Sequence, residues 1–96
     1  MRAAVAELAR VLRPGGIVVA TMLSTRHRHH GLGVEVKPNT FADLSVEGDR
    51  AHPHYYCDEP ALRELWEPAF VLEQLGEREH GAPGSWHWEL VAHRAP

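Results

Sequence analysis

Seven consecutive residues, Ile17-Val18-Val19-Ala20-Thr21-Met22-Leu23, are apolar or β-branched and carry no charge, and this run constrains the fold more than any other feature. A stretch without polar alternation suits a strand covered on both faces inside a mostly parallel sheet. It is short for a helix and far too short to span a bilayer. The residues before it set its start. Pro14-Gly15-Gly16 cannot continue a helical ladder, and the two glycines permit a sharp turn back. Between Arg2 and Arg13, residues Val5, Leu8, Ala9 and Leu12 recur at the spacing of one helical face. The expectation is a helix over 2–13 and a strand over 16–23.

Residues 24–57 are rich in His, Gly, Pro, Asn and Asp, with short apolar pieces at Leu32–Val36 and Phe41–Val46, and read as one long loop. A loop of that length inside a compact domain works as a lid, a binding loop or an interface. Asp58 is placed to cap a helix over 58–68, with Glu59 and Pro60 in its first turn and Leu62, Leu65 and Trp66 as its buried stripe. Phe70 to Leu75 predicts a strand over 70–76, and His80-Gly81-Ala82-Pro83-Gly84 a reversal. Beyond it Trp86, Trp88, Leu90 and Ala92 alternate with His87, Glu89, Val91 and His93, which predicts a two-faced strand over 85–94. The order implies one partial α/β domain over 1–96. It would hold about three strands with an antiparallel final hairpin, two helices and one long loop, the first two strands running parallel.

Thirteen acidic against 10 basic residues give a net charge of -3, which argues against the basic stripe of a nucleic-acid grip. The basic residues Arg2, Arg10, Arg13, Arg26 and Arg28 of the first third fit an amphipathic helix and one short loop, so no nucleic-acid partner is expected. The single cysteine, Cys57, supports no disulfide framework and fits a reducing, cytoplasmic compartment. No signal-peptide layout or membrane-length apolar run is present, so no membrane partner is expected.

The run Leu8-Ala9-Arg10-Val11-Leu12-Arg13-Pro14-Gly15-Gly16-Ile17-Val18-Val19 resembles the helix, Pro-Gly-Gly turn and fifth strand of class I S-adenosylmethionine-dependent methyltransferases of the small-molecule type. Glu35-Val36-Lys37-Pro38-Asn39-Thr40-Phe41, His54-Tyr55-Tyr56 and Trp86-His87-Trp88 are similar, in the same order, to runs of one subgroup. The resemblance implies the C-terminal half of a Rossmann-like methyltransferase sheet, in which an antiparallel seventh strand is inserted beside the fifth. It also implies S-adenosylmethionine as cofactor and a small-molecule methyl acceptor for the complete enzyme. Family members hold the cofactor with a Gly-rich turn after the first strand and acidic residues near the second and fourth. Here the close glycine pairs, Gly15-Gly16 and Gly31-Leu32-Gly33, do not join an apolar strand to a helix as such a turn must. No cofactor-binding residue is therefore expected. The chain would be a truncated methyltransferase, inactive alone, whose open face meets a complementary N-terminal half or a second copy in a homodimer.

In open α/β sheets ligands bind beyond the carboxyl ends of the parallel strands. That places Tyr55, Tyr56, Trp86 and His87 as candidate walls of an acceptor site, with His54 as candidate general base and His52 and His80 on the same side. The same aromatics would equally serve to bury the loop against the sheet. His27-Arg28-His29-His30 and His52-Pro53-His54 invite a metal reading, but neither sits on a helix at i, i+4 and no second cysteine assists, so no metal site is expected. Two further readings stay open: a non-catalytic interaction module, and a histidine-rich metal-binding protein.

Overall fold

The computed structural model describes residues 1–43, 45, 47, 48 and 51–96. Helix α1 (Arg2–Val11) leads through the Pro-Gly-Gly turn into β1 (Ile17–Ser24). Three short strands follow, β2 (Val34–Lys37), β3 (Thr40–Ala42) and β4 (His54–Cys57), then α2 (Glu59–Trp66), β5 (Phe70–Glu79) and β6 (Trp86–Arg94). The turn after α1 is tied down by the far end of the chain. Gly15 N–H donates to the Arg94 carbonyl at 2.9 Å, Arg94 N–H returns a bond to Gly16 at 2.8 Å, and the Arg94 guanidinium donates to the Leu12 carbonyl at the helix end. Gly15 holds φ 80°, where an L side chain is strained. At α2, Asp58 caps the start by accepting the Ala61 N–H at 3.0 Å.

Six strands, rather than about three, form one mixed sheet in the order β2-β3-β4-β1-β6-β5. The three additional strands lie inside 24–57, which the sequence presents as a loop. Each is three or four residues long, too short for the alternation that marks a strand. Of the apolar piece Phe41–Val46, Leu44 and Val46 lie outside the described residues. β6 is antiparallel to both β1 and β5, so those two run in the same direction with β6 inserted between them. β4 joins the other side of β1 in parallel, but only through Leu23↔Tyr56 and Ser24↔Cys57. On that side the β1 backbone from Ile17 to Met22 has no sheet neighbour among the described residues.

Both helices cover the same face. Val5 from α1 and Leu62, Leu65 and Trp66 from α2 pack on Met22, Cys57, Phe70, Trp88, Leu90 and Ala92. The Trp66 indole N–H meets Met22 Sδ at 3.0 Å, and its ring packs edge-on against Phe70 with centroids 5.3 Å apart. The other face carries the odd-numbered residues of β1, paired Ile17↔His93, Val19↔Val91, Thr21↔Glu89 and Leu23↔His87. Ile17 and Val19 are 68% and 77% exposed there. A strand whose composition suits burial on both sides is thus covered on one.

Candidate functional site

Strand parity decides which candidate residues meet. Consecutive residues of a strand point to opposite faces, and register partners share a face. Tyr56 is opposite Leu23, so Tyr56 and His54 stand on the open face with Leu23 and His87, while Tyr55 and Cys57 turn toward the helices. Phe41, opposite His54 on β3, joins the open-face group and packs against Tyr56 at 6.1 Å between centroids.

Past Ser24 the chain folds back over this end of the face. Ser24 is fully buried; its hydroxyl donates to Glu77 and accepts the Arg26 N–H at 3.0 Å, which fixes the exit of the loop. Arg28 N–H donates to the Gly84 carbonyl at 2.8 Å, and Arg28 Nη1 to Pro83 at 2.6 Å, so the loop after β1 is buckled to the β5–β6 reversal. Gly84, at φ 82°, leaves room for this: a Cβ there would lie 3.0 Å from the Arg28 side chain. Between loop, β4 and β6 lies a cavity of about 260 Å³ lined by Leu23, His27, Arg28, His29, His54, Tyr56, Ser85 and His87.

Within it His27 is 9% exposed, with its ring 4.9 Å from His29, 5.6 Å from His87 and 5.9 Å from Tyr56 by centroids. The backbone N–H of His29 donates to His27 Nδ1 at 3.1 Å, so the proton of the neutral ring sits on Nε2, 3.4 Å from Ser85 Oγ. Ser85 therefore faces a donor, not the free lone pair that would activate a nucleophile. Burial first, then the neighbouring His29, His87, Arg28 and His54, hold the His27 imidazole below the usual histidine range. His87 is arranged the opposite way. Its Nδ1–H donates to the Ser85 carbonyl at 3.1 Å, so protonation adds a donor at Nε2 without breaking that bond.

Of the residues expected to form one site, the fold brings His54, Tyr56 and His87 together and separates Tyr55 and Trp86 from them. Tyr55 lines a different cavity of about 390 Å³, between α1, α2 and the β2–β3 turn, with Arg2 and Glu64, which already pair at 3.3 Å. Burial lifts the Tyr55 phenol above its usual range. Trp86 carries the Arg26 guanidinium 3.7 Å from its ring centre, and Arg26 pairs in turn with Glu77 at 3.0 Å. His80 packs on His87 with centroids 4.9 Å apart. His27, Arg28, His29 and Ser85 are the members sequence reasoning missed. The histidine run is their signal in the sequence: its spacing suits no metal, and in the fold the residues form a wall of the cavity.

Among the described residues no group of three or more His, Cys, Asp or Glu is placed to hold a metal ion. Gly16 serves the α1–β1 turn at the amino end of β1, where a Cβ would come 2.9 Å from the Arg13 carbonyl. Gly33 admits the β3 backbone, with a Cβ position 2.3 Å from the Ala42 oxygen. Both are occupied by backbone packing. No helix of the described residues is long and apolar enough to cross a membrane. Compared with known proteins, the sequence matches no family model and no curated relative.

Proposed function

We propose that the chain forms the C-terminal part of a small-molecule methyltransferase of the class I, S-adenosylmethionine-dependent type, carrying the acceptor side of the site and not the donor side. The observation that carries this reading is the insertion of antiparallel β6 between β1 and β5, in a sheet whose β1 is opened by the Pro-Gly-Gly turn. The bare face bearing Ile17 and Val19 supports it, since a Rossmann-like sheet has helices on both sides. On this reading the cavity of His54, Tyr56 and His87 at the carboxyl end of β1 receives the methyl acceptor, with His54 as a proton acceptor. Methyl transfer depends chiefly on holding donor and acceptor in line, and these residues supply only one of the two.

The test is calorimetric titration with S-adenosylmethionine and S-adenosylhomocysteine, first into the chain alone and then into the chain mixed with a separately produced cofactor-binding half of a subgroup methyltransferase. Silence alone, followed by an equimolar complex with saturable binding, supports the proposal. Saturable binding by the chain alone, or no complex and no binding in the mixture, overturns it. A non-catalytic interaction module is the second reading, favoured by the same bare face. It is separated by whether the mixture forms a complex without gaining cofactor affinity.

A further inference from the structure

The cavity at the carboxyl end of β1 has a chemical character of its own. The chain carries 13 Asp and Glu residues and a net charge of -3, yet every described polar residue lining this cavity is an imidazole, a guanidinium, a phenol or a hydroxyl. We propose that it is a binding site for a small organic oxyanion, held between His87, the Nε2–H of His27 and the Arg28 guanidinium, with Tyr56 as its aromatic wall.

The hydrogen bonds already made divide the roles. His27 has Nδ1 engaged by the His29 N–H, so its one fixed donor is Nε2–H, which now meets only the Ser85 hydroxyl at a long 3.4 Å and would turn to the anion; protonation would break the bond that orients it. His87 keeps its Nδ1 bond in either state, so it is the imidazole that gains a proton facing the ligand. The Arg28 charge is set at the rim by Pro83. The charged and titratable groups around His87 are predominantly basic: His27, Arg28 and His29 from the loop, His54 from β4, Arg78 opposite it on β5, and His80. Glu89 reaches His80 at 3.2 Å and Arg78 at 3.8 Å. Asp43 lies in the adjoining recess with His29, His54 and Tyr56. An anion among these imidazoles relieves their mutual repulsion and is repaid by charge-assisted bonds.

Size narrows the ligand. About 260 Å³ falls just under the range of about 300–1,000 Å³ typical of drug-sized ligands, which suits a one-ring or short-chain acid. The inference shares its cavity with the methyl-transfer reading but not its argument, and its test uses no methyl donor, so either can fail without the other.

Benzoate is titrated into the chain at pH 6 and pH 8, with inorganic phosphate as a ringless oxyanion and benzamide as the uncharged match. The expected result is saturable benzoate binding about tenfold tighter at pH 6 than at pH 8, the worth of one charge-assisted hydrogen bond over a neutral one. Benzamide should not bind, and His87→Gln should abolish the pH dependence. Phosphate binding as tightly as benzoate would assign the recognition to the oxyanion alone, and weaker phosphate binding would add the ring. Benzamide matching benzoate, equal affinity at the two pH values, or silence from both anions overturns the proposal. Should His87→Gln fold poorly, ring C–H resonances of the unsubstituted chain decide: those of His27 and His87 must move with benzoate while that of His93, at the other end of β6, stays. Stationary His27 and His87 signals overturn the proposal.

Discussion

The indole N–H of Trp88 donates to the carbonyl oxygen of Cys57 at 2.8 Å, a bond that passes over β1 from the strand on one side of it to the strand on the other. β4 meets β1 through two register pairs only, so this bond is part of what holds the three short strands to the rest of the sheet. Trp88→Phe keeps an aromatic ring in the core but removes the donor. The Cys57 oxygen retains the Thr25 N–H at 3.1 Å. The expected loss is about 1–3 kcal/mol, one net hydrogen bond plus lost packing, read as a fall in Tm of roughly 5–15 °C. Trp86→Phe is the comparison. Its partner is the exposed Arg26, and it should cost less than about 1 kcal/mol. Equal losses at the two positions would contradict this assignment.

The contrast between these tryptophans also shows what the sequence discloses. The apolar run from Ile17, the Asp58 cap and the alternation after Ser85 each mark an element by a local pattern, and helix or strand follows within a few residues of the expected bounds. His54-Tyr55-Tyr56-Cys57 has no such pattern, being four residues with aromatic rings on both faces, and its place beside β1 comes from pairing with a strand more than thirty positions earlier. Without that register, Tyr55 and Tyr56 look alike, and so do Trp86 and His87. The candidate site was legible as a list of residue types near one sheet end. Which of them face one another is a consequence of parity, which only the pairing fixes.

Cys57 is fully buried beneath α2, and desolvation, with a smaller effect of Asp58, pushes its thiol up to about 12 from an ordinary 9.0. The folded state therefore keeps a proton that the unfolded state releases. The stabilisation is complete below pH 9.0 and is lost as pH climbs toward about 12. Thiol labelling at pH 8 should be negligible in buffer and rapid in denaturant. In Cys57→Ala the alkaline loss of stability should be shallower than in the unsubstituted chain. Rapid labelling of the native chain would contradict the burial of this thiol.

His27 gives the opposite sign on the acid side. Its folded imidazole is held below the ordinary 6.5, so the unfolded state binds the proton first. Stability is full above 6.5 and falls as pH drops through the folded value. The groups facing it are His29, Arg28, His87 and His54, all basic, so the trend is not offset from nearby. Urea midpoints should be lower at pH 5.5 than at pH 7.5, and His27→Gln should shrink that difference. Glu7, lowered from 4.5 by Arg10, titrates below this interval and leaves it undisturbed. A pH difference unchanged in His27→Gln would place the effect elsewhere.

Ile17 and Val19 stand 68% and 77% exposed beside the stretch of β1 that, among the described residues, has no sheet neighbour on its β4 side. Fully covering a side chain of this kind is worth about 1.5–3 kcal/mol, and an unpaired apolar edge is a template for another strand. The chain alone should therefore self-associate at micromolar concentration, with this face as the contact. Replacing both residues in Ile17→Lys/Val19→Lys places two cations where association would have to bury them, while removing little from a core to which neither belongs. Sedimentation should show the unsubstituted chain as a dimer or larger, and the double variant as a monomer with Tm nearly unchanged. A double variant that still associates would move the contact to another surface. An unsubstituted chain that is monomeric and melts cooperatively would show that the fold tolerates the face uncovered, and would remove self-association from the reading.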